Sequence, residues 1–393
     1  MKKGWQTKKL REVCELVNGR AYSKPELLAA GKYRVLRVGN FFTNDHWYHS
    51  NLELEEKKYC DTGDLLYAWS ASFGPRIWGG GKVIYHYHIW KVVHDRLQID
   101  QKFLFYFFQW DTEKIKEDQG TGTTMMHVSM GSMNERDIQL PPLPEQQRIV
   151  GILDAAFEGL ATAKANAEKN LLNARALFDS HLQAVFSQRG KGWVKTTLGA
   201  EIDLLAGFAF KSAQYTNDDN GIRLLRGDNI IQGCLRWDDV KRWPTNDTGD
   251  YERYQLEKGD VVLAMDRPWV KAGLKHATIS EDDLPCLLVQ RTARLRGGAN
   301  LDNRFLKLLI GSAAFTSHIL GIQTGIGVPH ISGQQIKDFE FARPPVAVQR
   351  RVADNLESPR EETQRLTAIY QRKLVALDAL KKSLLHQAFT GQL

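Results

Sequence analysis

The sequence lacks the residue patterns of disulfide-rich, zinc-binding and membrane proteins. Its 393 residues include only four cysteines, which lie far apart and form no Cys-x-x-Cys pair. We therefore expect reduced thiols, with neither a disulfide framework nor a zinc site. The longest apolar run, 103–108, is much shorter than the roughly 20 residues of a membrane span, and no apolar stretch follows the basic start. We predict a soluble, intracellular protein without a signal peptide.

The motifs of common catalytic sites are missing as well. The sequence contains neither Asp/Asn-Pro-Pro-Tyr/Phe nor Phe-x-Gly-x-Gly, and neither His-Glu-x-x-His nor Gly-x-Ser-x-Gly. The run 79–82, Gly-Gly-Gly-Lys, lacks the earlier glycine and the following Ser or Thr of a phosphate-binding loop. The glycines and threonines at 120–124 are not followed by the helix pattern of a dinucleotide site. We predict no catalytic residue and no bound metal or cofactor in this chain.

The net charge indicates which class of partner the chain is suited to bind. The chain carries a formal charge of +7 and has a pI near 9.0, which favours an acidic partner, nucleic acid first. Because many soluble proteins are mildly basic, this observation needs support from the rest of the sequence.

A long amphipathic stretch at 140–188 dominates the sequence. Apolar residues recur at steps of three and four from Ile149 to Val185, with charged and polar residues between them. From Glu145 to Gln188 this helix would be about 66 Å long at 1.5 Å per residue. Its apolar stripe is narrow and rich in alanine, so it needs a second helix packed along it.

The second helix is present in the same chain, from Arg343 to Phe389. A spacing of 203 residues separates five matching pairs: Pro141 and Pro344, Gln146 and Gln349, Arg148 and Arg351, Ser180 and Ser383, and Phe186 and Phe389. A spacing that stays constant along the whole helix indicates an internal repeat.

The repeat extends to the segments that precede each helix. The matches are 5–10 with 193–198, 36–40 with 225–229, 63–66 with 259–262, and 121–129 with 324–332. The spacing drifts from 188 to 196 and then 203 along these segments, so insertions fall within them and not within the helices. We predict an α+β chain of two α/β globular domains, 1–140 and 191–342, alternating with helical regions 141–190 and 343–393.

Several local elements follow from the pattern. We expect strands at Tyr33–Val38 and Leu65–Trp69, one alternating strand at 82–93, and another at 286–295. His86 and His88 would share one face of the third strand. There we favour a tolerated polar face over metal ligation, because no third ligand is nearby. Four apolar residues at helical spacing predict a helix in the core: Phe103, Leu104, Phe107 and Phe108.

The second helical region departs from the first at Pro359, which falls opposite Ala156. Ser358, Pro359 and Glu361 fit an N-cap, a first-turn proline and a capping box. We therefore expect a short helix that ends near Leu356 and a new helix that begins at Pro359. A kink within one continuous helix is the alternative.

At the ends of the helical regions the sequence resembles a known family. The segments 140–150 (LPPLPEQQRIV), 174–186 (ARALFDSHLQAVF) and 380–393 (LKKSLLHQAFTGQL) are similar to the conserved regions of Type I restriction-modification specificity subunits. The order of domain and helix agrees over the whole chain. Two features depart from the family pattern: residues 347–350 replace the Pro-Glu-Gln-Gln start, and Pro359 interrupts the second helix.

The resemblance implies a mechanism and a set of partners. The helices would pair as an antiparallel coiled coil with pseudo-two-fold symmetry, and each target-recognition domain would read one half of an asymmetric, bipartite site in double-stranded DNA. Each helical region would dock one DNA-adenine methyltransferase subunit, and two ATP-dependent motor-nuclease (restriction) subunits would join the complex. S-adenosylmethionine, ATP and Mg²⁺ would be used by those partners.

The resemblance also suggests where DNA and partners would bind. We place DNA contacts in loops at the matched positions: Arg20, Tyr22, Lys24, Trp69, Ser70, Ser72, Arg76, Thr123, Thr124 and His127 in the first domain, and Phe210, Lys211, Arg267, Trp269, Lys271 and His330 in the second. We place partner contacts on the helical regions, at Gln146, Arg148, Phe178, Phe186, Gln349, Arg351 and Phe389. For any one of these residues the alternative is an ordinary exposed polar or rim side chain.

Two other functions stay open from the sequence. A subunit of another methylation-based defence system would share most of these features. A duplicated DNA-binding regulator would also be basic, although it would usually carry a helix-turn-helix, for which we find no pattern.

Overall fold

The computed structural model describes residues 4–70, 73–119, 127–187, 190–245, 251–324 and 328–393. The chain forms two compact units. Unit 1 consists of Met1–Glu168 together with Gln371–Leu393, and unit 2 is Lys169–Tyr370. Each unit therefore contains one globular segment and parts of both long helices.

The strands of unit 1 form two four-stranded sheets and one terminal pair. They are β1 (Gln6–Lys9), β2 (Cys14–Asn18), β3 (Tyr33–Leu36), β4 (Tyr48–Ser50), β5 (Tyr59–Cys60), β6 (Leu65–Ala68), β7 (Gly74–Ile77), β8 (Val83–Tyr85), β9 (Ile89–His94) and β10 (Asp137–Leu140). The sheet orders are β2-β9-β6-β7 and β4-β3-β8-β5, and β1 pairs with β10. Neighbours are antiparallel except β3 and β8.

The helices of unit 1 contribute buried side chains to its hydrophobic clusters. They are α1 (Val38–Phe42), α2 (Gln101–Gln119), α3 (Met130–Asn134) and the first part of α4 (Leu143–Ser187). Asp100 begins α2, because its carboxylate accepts the N–H groups of Lys102 and Phe103 at 2.9 and 3.0 Å. The rings of Phe103 and Phe107 are fully buried and meet Phe389 at centroid distances of 5.1 and 5.8 Å. The predicted core helix is confirmed.

Unit 2 repeats this plan with its own elements. Its strands are β11 (Val194–Thr197), β12 (Ile202–Ala206), β13 (Ile222–Leu225), β14 (Arg242–Trp243), β15 (Val261–Ala264), β16 (Trp269–Val270), β17 (Gly273–Leu274), β18 (His276–Thr278), β19 (Cys286–Leu288), β20 (Thr292–Gly297) and β21 (Glu340–Arg343). The sheet orders are β12-β20-β15-β18 and β14-β13-β19, with the pairs β11-β21 and β16-β17. β11 and β21 are therefore the counterparts of β1 and β10.

The helices of unit 2 are α5 (Leu198–Glu201), α6 (Asn303–Ile310), α7 (Ala313–Ile322), α8 (Gly333–Lys337) and part of α9 (Val346–Phe389). Asp302 caps α6 as Asp100 caps α2. Short 3-10 turns complete both units, at Leu10–Glu12, Lys24–Glu26, Glu56–Lys58, Ser212–Gln214, Glu252–Tyr254 and Glu281–Asp283.

The two long helices pack together in antiparallel orientation, as predicted. In unit 1 the start of α4 lies beside the end of α9, and Lys164 forms an ion pair with Asp378 at 2.9 Å. In unit 2 the end of α4 lies beside the start of α9, where Leu182 packs with Ala353 and Leu356. Each helix buries only a narrow stripe, so the pairing is what removes that stripe from water.

A buried glutamine fixes the start of each long helix. Gln146 is fully buried; its amide oxygen accepts the N–H of Asp100 at 2.8 Å, and its amide nitrogen donates to the carbonyls of Gln98 and Pro141. Gln349 makes the same three bonds, to the N–H of Asp302 and to the carbonyls of Asn300 and Pro344. We call these two residues the glutamine staples.

The structure corrects three of the local expectations. α9 is continuous from Val346 to Phe389 and contains Pro359, so no new helix begins there and the alternative of one helix holds. The segment 82–93 is two strands, β8 and β9, with His86–His88 in the turn between them. The segment 286–295 likewise divides into β19 and β20. In both segments the alternation of apolar and polar residues continues across a tight turn. A two-residue period therefore does not reveal where the first strand ends.

No single helix within the described ranges is long and apolar enough to span a membrane. The bent pair α6 and α7 satisfies the length and composition criteria together, but Phe305, Leu306, Phe315 and Ile319 of this pair are buried in the core of unit 2.

The glutamine staple of unit 1 provides a stability test. In Gln146→Ala the buried N–H of Asp100 and two carbonyls lose their partner, so we expect unit 1 to lose about 2 kcal/mol, typical of orphaned buried polar groups. Calorimetry should show its melting temperature lowered by about 4–8 °C. The neighbouring Gln147 is exposed, so Gln147→Ala should change little. Equal effects of the two substitutions would show that the staple does not stabilise the unit.

Candidate nucleic-acid interface

In unit 1 three segments meet where β6 ends. The N–H of Trp69 donates to the carbonyl of His88 at 3.0 Å, and the carbonyl of Trp69 accepts the N–H of Val128 at 3.2 Å. Ser70 pairs with His127 in an isolated antiparallel bridge. The end of β6, the β8–β9 turn and the segment at 127–128 therefore form one surface, which we call junction 1 (69–70, 86–88 and 127–128).

Unit 2 builds the same junction from the same backbone bonds. The N–H of Met265 donates to the carbonyl of Arg291 at 2.8 Å, and the carbonyl of Met265 accepts the N–H of Ile331 at 2.9 Å. Asp266 pairs with His330. Each position is the repeat counterpart of one in junction 1. We call this surface junction 2 (265–266, 289–291 and 330–331).

In each junction a glycine allows the backbone of a fourth segment to approach closely. A Cβ on Gly19 would lie 2.3 Å from the carbonyl oxygen of Tyr85, and one on Gly207 would lie 2.1 Å from that of Val289. Both distances are far inside van der Waals contact, so only glycine allows the backbones to approach. The following residues, Arg20 and Phe208, form parallel bridges to the turn of their own junction.

Rings and imidazoles dominate junction 1. The indole N–H of Trp69 donates to the carbonyl of Tyr87 at 2.7 Å, and its ring lies 4.9 Å from His88 and 6.0 Å from His127 between centroids. His86 lies 4.8 Å from His88. The aromatic faces and the exposed His127 make this a surface suited to stacking and to hydrogen bonds with base edges.

The two turn histidines are held in the neutral form. Burial, with the positive charges near it, lowers the pKa of His86 to about 4. Burial likewise lowers the pKa of His88. The Nδ1 of His86 accepts the N–H of His88 at 3.4 Å, which also requires an unprotonated nitrogen there. Near pH 7 these imidazoles therefore present neutral donors and acceptors. No group of three metal-ligating side chains occurs among the residues that the structure describes.

Junction 2 presents charged groups in place of rings. Arg291 lies 3.6 Å from Asp266, and both Arg291 and Arg267 adopt positive φ angles of 66° and 44°. Such angles are strained for arginine and often occur at functional positions. Beyond Arg267, the hairpin of β16 and β17 carries Trp269, which is 39% exposed, and Lys271 in its turn.

The remaining first-domain candidates differ in their surroundings. Arg20 forms an ion pair with Glu26 at 2.7 Å and lies over the ring of Tyr22, and Lys24 is exposed nearby. The guanidinium of Arg76 donates to the carbonyl of Phe41. Ser70 is buried, so its backbone and not its side chain shapes the surface. Ser72, Thr123 and Thr124 lie outside the described residues.

In the second domain one candidate is internal. Phe210 is 4% exposed and packs against Trp243 at 4.8 Å, so its ring belongs to a core. The exposed aromatic beside it is Phe208. Lys211 and His330 are exposed, and the imidazole of His330 lies 3.1 Å from the hydroxyl of Thr324.

Most candidate partner contacts on the helices have partners within the chain. Gln146, Gln349 and Phe389 are fully buried, so their side chains cannot be reached from outside in this structure. Phe178 and Phe186 are half-buried in the helix packing of unit 2. Arg148 pairs with Glu145 but is exposed, as is Arg351.

The sequence pattern did not reveal an apolar surface that recurs on both helices. Leu172 and Leu177 of α4 are 65% and 60% exposed, and Val375 and Leu380 of α9 are 71% and 48% exposed. The repeat spacing of 203 residues separates Leu172 from Val375 and Leu177 from Leu380. The exposed Ala176 and Ala379 follow the same rule. We call these the outer patches. The constant spacing could have revealed them, because it identifies apolar residues that recur outside the buried stripe.

Comparison with known proteins agrees with this geometry. A family model described as the Type I restriction modification DNA specificity domain matches residues 2–173. The specificity subunit of the Type I restriction enzyme EcoAI of Escherichia coli is 37% identical over 195 residues, covering 48% of this chain. The MjaVIII specificity subunit of Methanocaldococcus jannaschii is 25% identical over 343 residues, covering 84% of this chain and 79% of that protein.

The chain is therefore similar in sequence to Type I restriction enzyme specificity subunits. The match spans only 33% of the EcoAI subunit's own length. Solved structures extend the likeness in fold to the whole chain. One, from work on complex assembly and conformational transition of the type I R-M system, covers 100% of this chain and 99% of its own at 18% identity, with a TM-score of 0.73. The HsdS subunit of Thermoanaerobacter tengcongensis has a TM-score of 0.51, also at 18% identity, and covers 100% and 98%.

The neutral state of His86 predicts how the stability of the chain responds to acid. The pKa of His86 is lowered on folding, so folding is favoured above its ordinary value near 6.5 and loses that contribution as the pH falls toward 4. We expect the urea midpoint of the wild type to fall between pH 7 and pH 5, and to fall less in His86→Asn. The asparagine keeps an acceptor but cannot be protonated. The exposed His127 provides a control, His127→Asn, and an unchanged slope in His86→Asn would contradict the prediction.

Proposed function

We propose that this chain is the non-catalytic DNA-specificity subunit of a Type I restriction-modification complex. Each unit reads one half of an asymmetric, bipartite site in double-stranded DNA. The paired helices set the gap between the halves and dock two DNA-adenine methyltransferase subunits. The observation that carries the proposal is the duplicated junction: the same backbone bonds present different side chains in the two units.

The duplication supports a bipartite site because the two junctions share one backbone arrangement but carry different side chains. The backbone frame is common, so each unit can approach DNA in a similar way. The side chains are not common: Trp69, Ser70 and His88 correspond to Met265, Asp266 and Arg291. Neutral rings and a charged pair favour different base edges, so we expect unlike half-sites.

The outer patches support the docking of two copies of one partner. Exposed apolar residues on a helix rarely recur by chance at equivalent positions of a repeat, and exposed apolar surface is typical of protein contacts. Because the two patches share their spacing and composition, they fit two identical subunits better than two different ones. These subunits would be the methyltransferases, which flip their target base and take their placement from a separate reader.

The chemistry of the complex would belong to its other subunits. The methyltransferases would use S-adenosylmethionine, and two restriction subunits would use ATP and Mg²⁺ for translocation and cleavage. The chain itself would supply binding and placement only, in the bacterial or archaeal cytoplasm.

Methylation mapping provides the direct test of this function. We would express the chain with the modification subunit encoded beside it and sequence the methylated adenines of the host DNA. The proposal predicts a split motif of two unlike short halves around a constant gap. A complex of another methylation-based defence system would be recognised by a different catalytic subunit that co-purifies. Tight DNA binding without adenine methylation would favour a duplicated regulator and contradict the proposal.

The outer patches give a separate prediction on stoichiometry. We expect Leu172→Glu/Leu177→Glu and Val375→Glu/Leu380→Glu each to lower the number of bound methyltransferase subunits from two to one, because buried glutamates would lose hydration without a partner. Native mass spectrometry of the purified complex measures this directly. Ala155→Glu, at an exposed alanine of α4 outside the patch, should keep two copies. Retention of both copies in the patch variants would place the docking surface elsewhere.

A further inference from the structure

Unit 1 contains a polar cavity beside junction 1 that the candidate contacts above do not use. Its volume is about 290 Å³, and its lining includes Arg37, Asn40, Asn44, Tyr48, His86 and His88. The cavity shares His86 and His88 with the junction, so a DNA duplex placed on junction 1 would also cover the cavity.

Arg37 is the one cationic side chain of this lining. It is exposed, and among the described residues its guanidinium has no carboxylate within ion-pair distance. It lies over the ring of Tyr48, 5.2 Å from the centroid. Its carbonyl accepts the N–H of Phe41 at 2.9 Å, which fixes the backbone. A cation resting on an aromatic face loses less rotamer freedom when it binds than a fully solvated one.

The rest of the wall is neutral and polar. Asn40 donates through its amide nitrogen to the carbonyls of Asn44 and His46 at 2.9 and 2.7 Å, so its side chain is held in place. The described lining contains no carboxylate, and His86 and His88 are unprotonated near neutral pH. Arg37 therefore has free donors and faces no competing anion.

The counterpart in unit 2 is arranged differently. Arg226, which matches Arg37, forms an ion pair with Asp239 at 3.1 Å. The exposed Asp228 stands where unit 1 has Gly39. The same place in the fold thus holds a free guanidinium in unit 1 and a neutralised one beside a carboxylate in unit 2.

A phosphate group and a base edge make different demands on such a site. Phosphate contacts usually gather several cations or backbone N–H groups, whereas a single guanidinium among neutral groups matches the paired acceptors O6 and N7 of guanine. The planar fork of arginine donates two parallel bonds to that edge. We propose that Arg37 is a specificity-determining residue that reads one guanine in the half-site bound by unit 1. This inference rests on the proposed function of the chain.

The test uses the complete complex of this chain with its modification subunits and duplexes that carry the mapped motif. Competition binding with each base pair of the first half-site replaced in turn measures the preference at every position. The wild type should prefer guanine at one position by about 10–100-fold, the usual discrimination of a bidentate pair. Arg37→Ala should abolish that preference and leave the others. Arg37→Lys, which keeps the charge but lacks the fork, should lose the preference while retaining more of the affinity.

Arg34→Ala is the matched control. Arg34 lies on β3, which ends just before Arg37. It is exposed and also rests on an aromatic ring, that of Trp47 at 5.6 Å, but it does not line the cavity. The Arg34→Ala variant should leave every base preference unchanged.

Three outcomes would overturn the proposal: an unchanged preference in Arg37→Ala, a uniform loss of affinity at all sequences, or a changed preference in the second half-site. A wild-type complex that reads no split site would instead refute the proposed function, so the two failures are distinguishable.

Discussion

The structure depends on the packing of two helices that could not stay folded alone in water. Each has a narrow stripe, which on α4 includes Ile149, Leu153, Ala167, Ala174 and Leu182, all buried. So thin a stripe offers little apolar area to a globular core, but it suits a helix of equal length laid against it. The chain provides that second helix through duplication, and the constant spacing between the helices follows from the need to keep both stripes matched.

The same constraint explains where the sequence is free to vary. A residue inserted into one helix would shift every later side chain by about 100° around its axis and move the stripe out of contact. An insertion in a loop of either globular segment has no such effect. The glutamine staples then tie each globular segment to the start of its own helix through three hydrogen bonds. The globular segments are thus carried on a frame that cannot vary in length without cost.

Much of this architecture could be predicted from the sequence because each duplicated structural feature occurs in it twice. The matches of 63–66 with 259–262 and of His127 with His330 lie beside loops that the structure brings together. Gly19 and Gly207 are matched for a steric reason that only the coordinates reveal. The roles of single residues do not follow from the repeat in the same way, since Phe210 is part of a core and Gln146 is a buried polar residue within an apolar pattern. The turn at His86–His88 and the continuity of α9 through Pro359 depend on tertiary contacts that override local preference.

In the function that we propose, the helix pair acts as a ruler between two independent readers. The most direct measurement is the methylation motif of a chain lengthened by one heptad in α4 near Ala163 and by one heptad in the facing part of α9 near Asp378. Seven helical residues add about 10 Å, so we expect both half-sites to keep their sequence while the gap grows by about three base pairs. An unchanged gap, with the complex intact and active, would contradict it.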